Sequence, residues 1–369
     1  MINWVTLYPE AKNVDLLKRT GLVPFHMQKN YDVSAKVVCY ENDEYSYADK
    51  EVKGLEVEFL KKLFNNSRFD GLLYILKNAK KIDILHVMHM TSTRNFYWFH
   101  LYKFLNPKGK AYLMVDYPFD LVNQEVLGKG IMKRYRQKQL DKVTLISVDT
   151  PAMAAEGRIV WSPKVQHVNN VCFVDYENHE LRFEDKEDVI VYVGRHGTRQ
   201  KNTEMLVEGF IRFAKEHESW RLKLIGSTTK EFDVFLQDKL DENSWVKDRI
   251  IVVNEIREKD KLYEELSKAK IFVSTARAET FAVATMEALY NGCTMVMSSV
   301  SGAFELTNNE RYGRVYQIGD VDGLIDRLNE VADNEELQRR ACYEGSEYVA
   351  THHSGDYVSA TLAKYLLDN

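Results

Sequence analysis

Two glutamates eight positions apart, Glu279 and Glu287, bracket the start of an expected helix. The stretch continues through Ala288-Leu-Tyr-Asn-Gly292, a strand-like run to Ser299, and Ser301-Gly-Ala-Phe-Glu305. A helix start offers free backbone N–H groups and the positive end of a dipole, which suits phosphate. Carboxylates do not suit phosphate; they suit hydroxyl groups. Phosphate and hydroxyls held side by side describe a sugar-nucleotide site. A first-turn acid followed by an exposed mid-helix acid is the plainer alternative for each glutamate taken singly.

A second cluster is cationic. Gly194-Arg195-His-Gly-Thr-Arg-Gln-Lys201 lies between an expected strand ending at Val193 and a helix beginning near Thr203. Cations beyond a strand's carboxyl end, beside a helix N-terminus, suit a diphosphate. Arg195 can present a two-pronged fork to phosphate and Lys201 a point charge. A solvated basic loop is the alternative. Gly226 also ends an expected strand and is placed in the same region, as is the turn Asn254-Glu-Ile256-Arg257.

Together these stretches resemble the large bacterial glycosyltransferase group 1 type, retaining enzymes of the GT-B fold with a Glu-x7-Glu signature. Ala282 stands where that family usually has glycine, and Cys293-Thr294-Met295-Val296 replaces its Gly-flanked x-Pro-Val-Val strand. The resemblance implies two Rossmann-like doubly wound domains facing a cleft, and sugar transfer from a nucleoside-diphosphate donor to a hydroxyl with retention at the anomeric carbon. It implies roles for Arg195 and Lys201 on the diphosphate and Glu287 on the ribose. Glu279 then lies near the transferred sugar, and the backbone of Phe281, Ala282 and Val283 meets sugar and phosphate. The turn at Ile256 would hold the base, for which uridine is the default.

In the front half, Leu16-Leu-Lys-Arg-Thr-Gly21-Leu-Val-Pro-Phe-His26 reads as the family's first β–α loop, with Gly21 letting backbone approach the donor. Asp83-Ile-Leu-His86-Val-Met-His89 resembles its fourth-strand pattern; His86 reads as buried and structural, His89 as an acceptor-side residue. Asp116 closes an expected strand at a position where many family members carry histidine. An aspartate there can orient an acceptor hydroxyl or stabilise an oxocarbenium-like transition state. A turn aspartate before Pro118 is the alternative.

Asp320-Val-Asp322 is a metal motif in another glycosyltransferase fold, but before Gly323 it reads as an N-cap cluster. No cofactor or metal requirement is expected, since the cationic loop would neutralise the diphosphate. The segment 129–142 is basic with interleaved apolar residues, which fits either a solvated helix face, an anionic membrane surface or a lipid-diphosphate acceptor.

The elements that must position these groups follow a βαβ rhythm throughout, with short apolar runs alternating with amphipathic patterns. The chain has 369 residues. It is expected to hold an N-terminal acceptor domain over 1–183, a nucleotide-sugar domain over 184–353, and a last helix over 354–369 crossing back to the first domain. The boundary is drawn in the charged, aperiodic segment Asp175–Asp188. Residues 1–183 carry 26 Lys and Arg against 21 Asp and Glu, and the rest 24 against 34. The acidic back half disfavours a nucleic-acid partner.

The four cysteines have no ligand spacing and fit a reducing compartment. The first residues lack a signal-peptide pattern and no apolar run is long enough to span a membrane. A cytoplasmic protein is therefore expected, with peripheral placement at the inner membrane face open. Expected partners are the donor and a glycan, lipid-linked or protein-linked acceptor; a homo-oligomer or a partner glycosyltransferase is also open. Two rivals stand: an epimerase or phosphorylase on the same fold, and, from another class, a catalytically silent partner subunit that binds a nucleotide-sugar or stabilises an active transferase.

Overall fold

The computed structural model describes residues 1–89, 93–116, 127–174 and 180–368. The chain divides into two compact α/β units, one formed by Met1–Phe173 with His352–Asn369, the other by Val174–Thr351. The charged segment 175–188 follows directly on that division, and its residues 175–179 lie outside the described residues.

The first unit is built from β1 (Ile2–Leu7), α1 (Arg19–Asn30), β2 (Val33–Cys39), β3 (Glu56–Phe59), α2 (Ser67–Asn78), β4 (Ile84–Met88), α3 (Thr93–Leu105), β5 (Lys110–Met114), α4 (Gly130–Leu140), β6 (Leu145–Val148), α5 (Pro151–Val160) and β7 (Val165–His167). Its seven strands run in the order β3-β2-β1-β4-β5-β6-β7, all pairs parallel, with Trp4 opposite Ile84. Successive residues of a strand face opposite sides. Val5 and Leu85 therefore join one apolar layer with Trp98 and Phe99, while Trp4 and Ile84 join the other with Leu22 and Met27. Burial on both faces explains why β4 reads as an unbroken apolar run apart from His86. The helix expected from Gln124 begins, within the described residues, at Gly130; residues 124–126 lie outside them.

The second unit contains β8 (Glu187–Val193), α6 (Thr203–Phe213), β9 (Arg221–Ile225), α7 (Lys230–Glu242), β10 (Ile250–Val253), α8 (Lys259–Lys268), β11 (Ala269–Ser274), α9 (Val283–Tyr290), β12 (Thr294–Ser298), α10 (Ala303–Leu306), β13 (Gly313–Tyr316), α11 (Val321–Ala332) and α12 (Glu335–Arg340). Its six strands are again all parallel, in the order β10-β9-β8-β11-β12-β13. Then α13 (Ser346–His352) leads to α14 (Gly355–Leu366). The last helix packs within the first unit: Val358, Leu362 and Leu366 share a core with Leu22 and Met27 of α1. Asp356 accepts from Asn30 Nδ2 at 2.9 Å and meets His26 Nδ1 at 2.9 Å.

Candidate functional site

In the second sheet, the chain winds outward from β8 through β9 and β10 on one side, and from β11 through β12 and β13 on the other. The loops leaving the carboxyl ends of β8 and β11 therefore diverge, and a crevice opens between them. Hydrogen bonds stitch these two loops together. Arg277 N–H donates to Gln200 O at 2.8 Å, Gln200 Nε2 to Ala278 O at 3.0 Å, and Thr275 Oγ1 to Lys201 O at 3.0 Å. Arg277 Nη2 donates to Asn202 Oδ1 at 3.1 Å. The stitching sets Lys201 Nζ in an ion pair with Glu279 Oε2 across 78 residues of sequence. Both side chains keep partial exposure, 19 % and 14 %. An incoming anion can therefore take the ammonium while a hydroxyl takes the carboxylate.

Arg195 is exposed on the same β8 loop. Gly194 and Gly226 lie where this loop meets the one leaving β9. A Cβ on Gly226 would come within 1.9 Å of the Gly194 carbonyl oxygen, and its φ of +143° is unfavourable for other residues. Gly226 thus lets two loop backbones lie against each other. Across the crevice α9 begins at Val283, and its N-cap residue Ala282 has no side chain to satisfy the first N–H groups. Ala282 and Val283 are half-buried. Phe281 is buried, with its ring against Gly302, where a Cβ would meet Phe281 Cδ2 at 2.8 Å.

Glu287, in α9, is buried and ion-paired with Lys259 at the start of α8. Ile256 is half-buried in the turn between β10 and α8, beside a shallow charged depression lined by Glu255, Arg257 and Lys261. Asp320 caps α11 through Gly323 N–H at 2.9 Å, and Asp322 pairs with Arg212 at 2.7 Å.

Sequence reading missed three participants here. Lys259 opens a helix, where an acid complements the dipole better, and that misfit was its only signal. Arg277 is the hinge of the loop stitching. Tyr192, on β8, is buried with no hydrogen-bond partner for its hydroxyl among the described residues. Burial, reinforced by the charge of Glu279, pushes that hydroxyl well above its ordinary pKa and keeps it neutral.

The first unit differs. Its own switch point lies between β1 and β4. There His89 leaves β4 with a φ of +69°, rare for a residue with a Cβ. Asn95 Nδ2 holds the strained carbonyl at 2.8 Å and His89 N–H donates to Met114 O at 2.8 Å. Its ring meets Tyr8 edge-on at 5.6 Å. Burial lowers the pKa of His89, opposed by the nearby charge of Asp116. Asp116 itself is exposed, just past the end of β5; Tyr117 and Pro118 lie outside the described residues. His86 is buried, with Thr6 Oγ1 at 3.0 Å from its Nδ1 and Tyr112 stacked at 4.5 Å.

The expectation for residues 16–26 is corrected. They do not form an open β–α loop: residues 19–30 are helix α1, and Gly21 is buried in its first turn. A Cβ on Gly21 would meet Leu16 O at 2.3 Å, so the space this glycine leaves is taken by the preceding turn of the chain. Gly21 and Pro24 look like loop residues locally. Burial of Leu22, Val23 and Met27 outweighs the single helix bond that Pro24 forgoes.

Residues 175–348, just under half of the chain, match the family described as Glycosyl transferases group 1. The matched residues coincide with the second unit almost from end to end. A curated relative, N-acetyl-alpha-D-glucosaminyl L-malate synthase of Bacillus anthracis, is 23% identical over 160 residues, 43% of this chain and 40% of the relative. The match spans well under half of that relative's length. Among solved structures, sucrose-phosphate synthase from Thermosynechococcus elongatus superposes with a TM-score of 0.74 at 14% identity, covering 99% of this chain and 98% of the other. HepE of Anabaena, solved with UDP and glucose, superposes with a TM-score of 0.74 at 12% identity over the whole of both chains. The fold is the paired Rossmann-like GT-B architecture.

Proposed function

We propose, on the premise that the second unit is a glycosyltransferase group 1 domain, that the protein transfers a sugar from a UDP-sugar to a hydroxyl acceptor with retained anomeric configuration. The observation that carries this reading is the Lys201–Glu279 pair beside the uncapped start of α9, at the switch point of the second sheet. A diphosphate would meet Lys201, Arg195 and the α9 N–H groups, which stabilise it as the leaving group when the anomeric C–O bond breaks. Glu279, released from Lys201, would accept from hydroxyls of the transferred sugar. Glu287 would accept from the ribose, with Lys259 holding its carboxylate in place. Uridine is preferred because HepE, of the same fold, was solved with UDP. Asp116 and His89 are the first unit's acceptor-side residues. On this reading Lys201, Arg195 and the α9 N–H groups neutralise the diphosphate without a metal.

Titration calorimetry of UDP, GDP and ADP into wild type and Lys201→Ala, with and without a divalent cation, tests this reading. UDP binding without metal, weakened about ten- to a hundredfold in Lys201→Ala, supports it; donors carrying that base are then assayed for transfer. Binding of no nucleotide overturns it; nucleotide binding with no turnover of any donor, restored by a co-expressed partner, favours the silent subunit. Turnover of donor without acceptor points to an epimerase, and a demand for free phosphate to a phosphorylase.

A further inference from the structure

Helices α2, α3 and α4 pack on one face of the first sheet through Ile75, Phe99 and Leu140. Their outer surfaces are not polar in the way solvated helices are. Between them runs a groove of about 580 Å³ lined almost wholly by apolar and aromatic side chains, among them Phe64, Phe69, Leu76, Tyr97 and Tyr135. Phe64 is 59% exposed and Leu76 57%. Beside it, Ile131 on α4 is 87% exposed. A contiguous apolar groove of this kind on an otherwise soluble surface marks a binding face.

The charge of the same face selects the partner. The three helices carry eight Lys and Arg, of which Arg94 is paired with Glu10 and Lys103 is turned to the carbonyls of Pro107 and Gly109, and a single acid, Asp70. That acid is buried and consumed by Tyr40 Oη at 2.7 Å and by the N–H groups of Leu63 and Phe64. Lys133, Arg134 and Lys138 on α4 are exposed, and Arg68 lies over the Tyr97 ring at 5.2 Å. Apolar projections interleaved with cations, with tyrosines and a histidine (His100, 6.0 Å from Tyr135) along the groove, match a layer whose surface is anionic and whose interior is hydrocarbon. Long basic side chains can keep their heads at that surface while their stems cover apolar area.

We propose that this face docks on an anionic phospholipid bilayer, the α4 cations meeting lipid phosphates and the groove receiving acyl chains. No helix among the described residues is long and apolar enough to cross a membrane, so this is surface docking. It stands whether or not the donor-site reading holds.

Sedimentation with lipid vesicles tests it, comparing phosphatidylcholine alone with equimolar phosphatidylcholine and phosphatidylglycerol. Wild type pellets with the anionic vesicles and stays in solution with the neutral ones. The double variant Lys133→Glu/Arg134→Glu lowers the vesicle partition coefficient by about tenfold or more. Leu76→Glu, which puts a charge in the groove, weakens it as well. Val234→Glu, an equally exposed apolar position on α7, leaves it unchanged. All substituted side chains are exposed, and unchanged thermal melts confirm folding. Failure of wild type to pellet with anionic vesicles overturns the proposal and leaves an acidic protein partner as the occupant. Binding that survives both the charge and the groove variants overturns it too.

Discussion

The two sheets of this chain share one design and use their strand ends in opposite ways. At the carboxyl end of the second sheet, Lys201 and Glu279 form a pair that keeps contact with solvent. At the carboxyl end of the first, the comparable charges are sealed. Arg19 and Asp149 are ion-paired with side chains 5% and 0% exposed. Arg19 also reaches Ser147 Oγ at 3.3 Å, which bonds Tyr112 Oη at 2.8 Å. On the proposed reading, the same pairing of opposite charges serves a ligand where solvent reaches it; where solvent does not, it is a structural device. In the open case an incoming phosphate can replace the carboxylate. In the sealed case neither ion can leave without exposing its partner to a medium that cannot solvate it.

Breaking each pair separates the two uses. Arg19→Met leaves Asp149 buried without its counter-ion and is expected to cost about 3–5 kcal/mol of first-unit stability. Denaturant unfolding measures this, and UDP affinity should stay at the wild-type value. Lys201→Ala gives the mirror image. Diphosphate affinity falls by about ten- to a hundredfold, as for loss of one charge-assisted phosphate contact, while the unfolding midpoint barely moves. Equal effects of both substitutions on both readouts would erase the distinction.

Acid sharpens the comparison. His86 is held down to about 3, chiefly by burial and then by the charge of Arg19, and buried His353 to about 4. Burial also lowers His26, His89 and His167 in the first unit. In the second unit His196 stands at about 4, also through burial. Each such histidine has a folded pKa below its unfolded value near 6.5. Below that pH the unfolded chain takes up protons that the folded one refuses, so the stability present above 6.5 is lost as pH falls. The loss approaches about 1.4 kcal/mol per pH unit for each fully buried histidine, until the folded pKa is reached. Between pH 6.5 and 4.5 the first unit should therefore lose stability more steeply than the second, as hydrogen exchange in each unit would show.

The smallest effect is expected at Tyr192. Its buried hydroxyl has no partner among the described residues, so Tyr192→Phe should hold or raise second-unit stability by up to about 1 kcal/mol. A clear loss in thermal unfolding would mean the hydroxyl is bonded in solution.

Much of this was legible in the sequence because it is written locally. The apolar runs and helical patterns mark the α/β class, since strand and helix periodicity act over a handful of residues. Lys201 and Glu279 stand out because each lies on a strand–loop–helix junction whose character is set by neighbours, and Glu287 because it follows eight positions later in the helix that leaves the second junction. The groove between α2, α3 and α4 could not be read this way, although the basic pattern of segment 129–142 could. Gly21 and Pro24 misled because local breaker signals were overruled by burial of the rest of α1.

The pairings belong to tertiary structure alone. Lys259 with Glu287, Lys201 with Glu279, and Arg19 with Asp149 join residues 28, 78 and 130 positions apart. Sequence supplied the charges and the elements that carry them. Which charge meets which, and whether water reaches the pair, depends on how the strands are ordered and the helices packed: Lys201 and Glu279 meet because the sheet sets non-consecutive β8 and β11 side by side, and Lys259 and Glu287 meet on neighbouring helices α8 and α9.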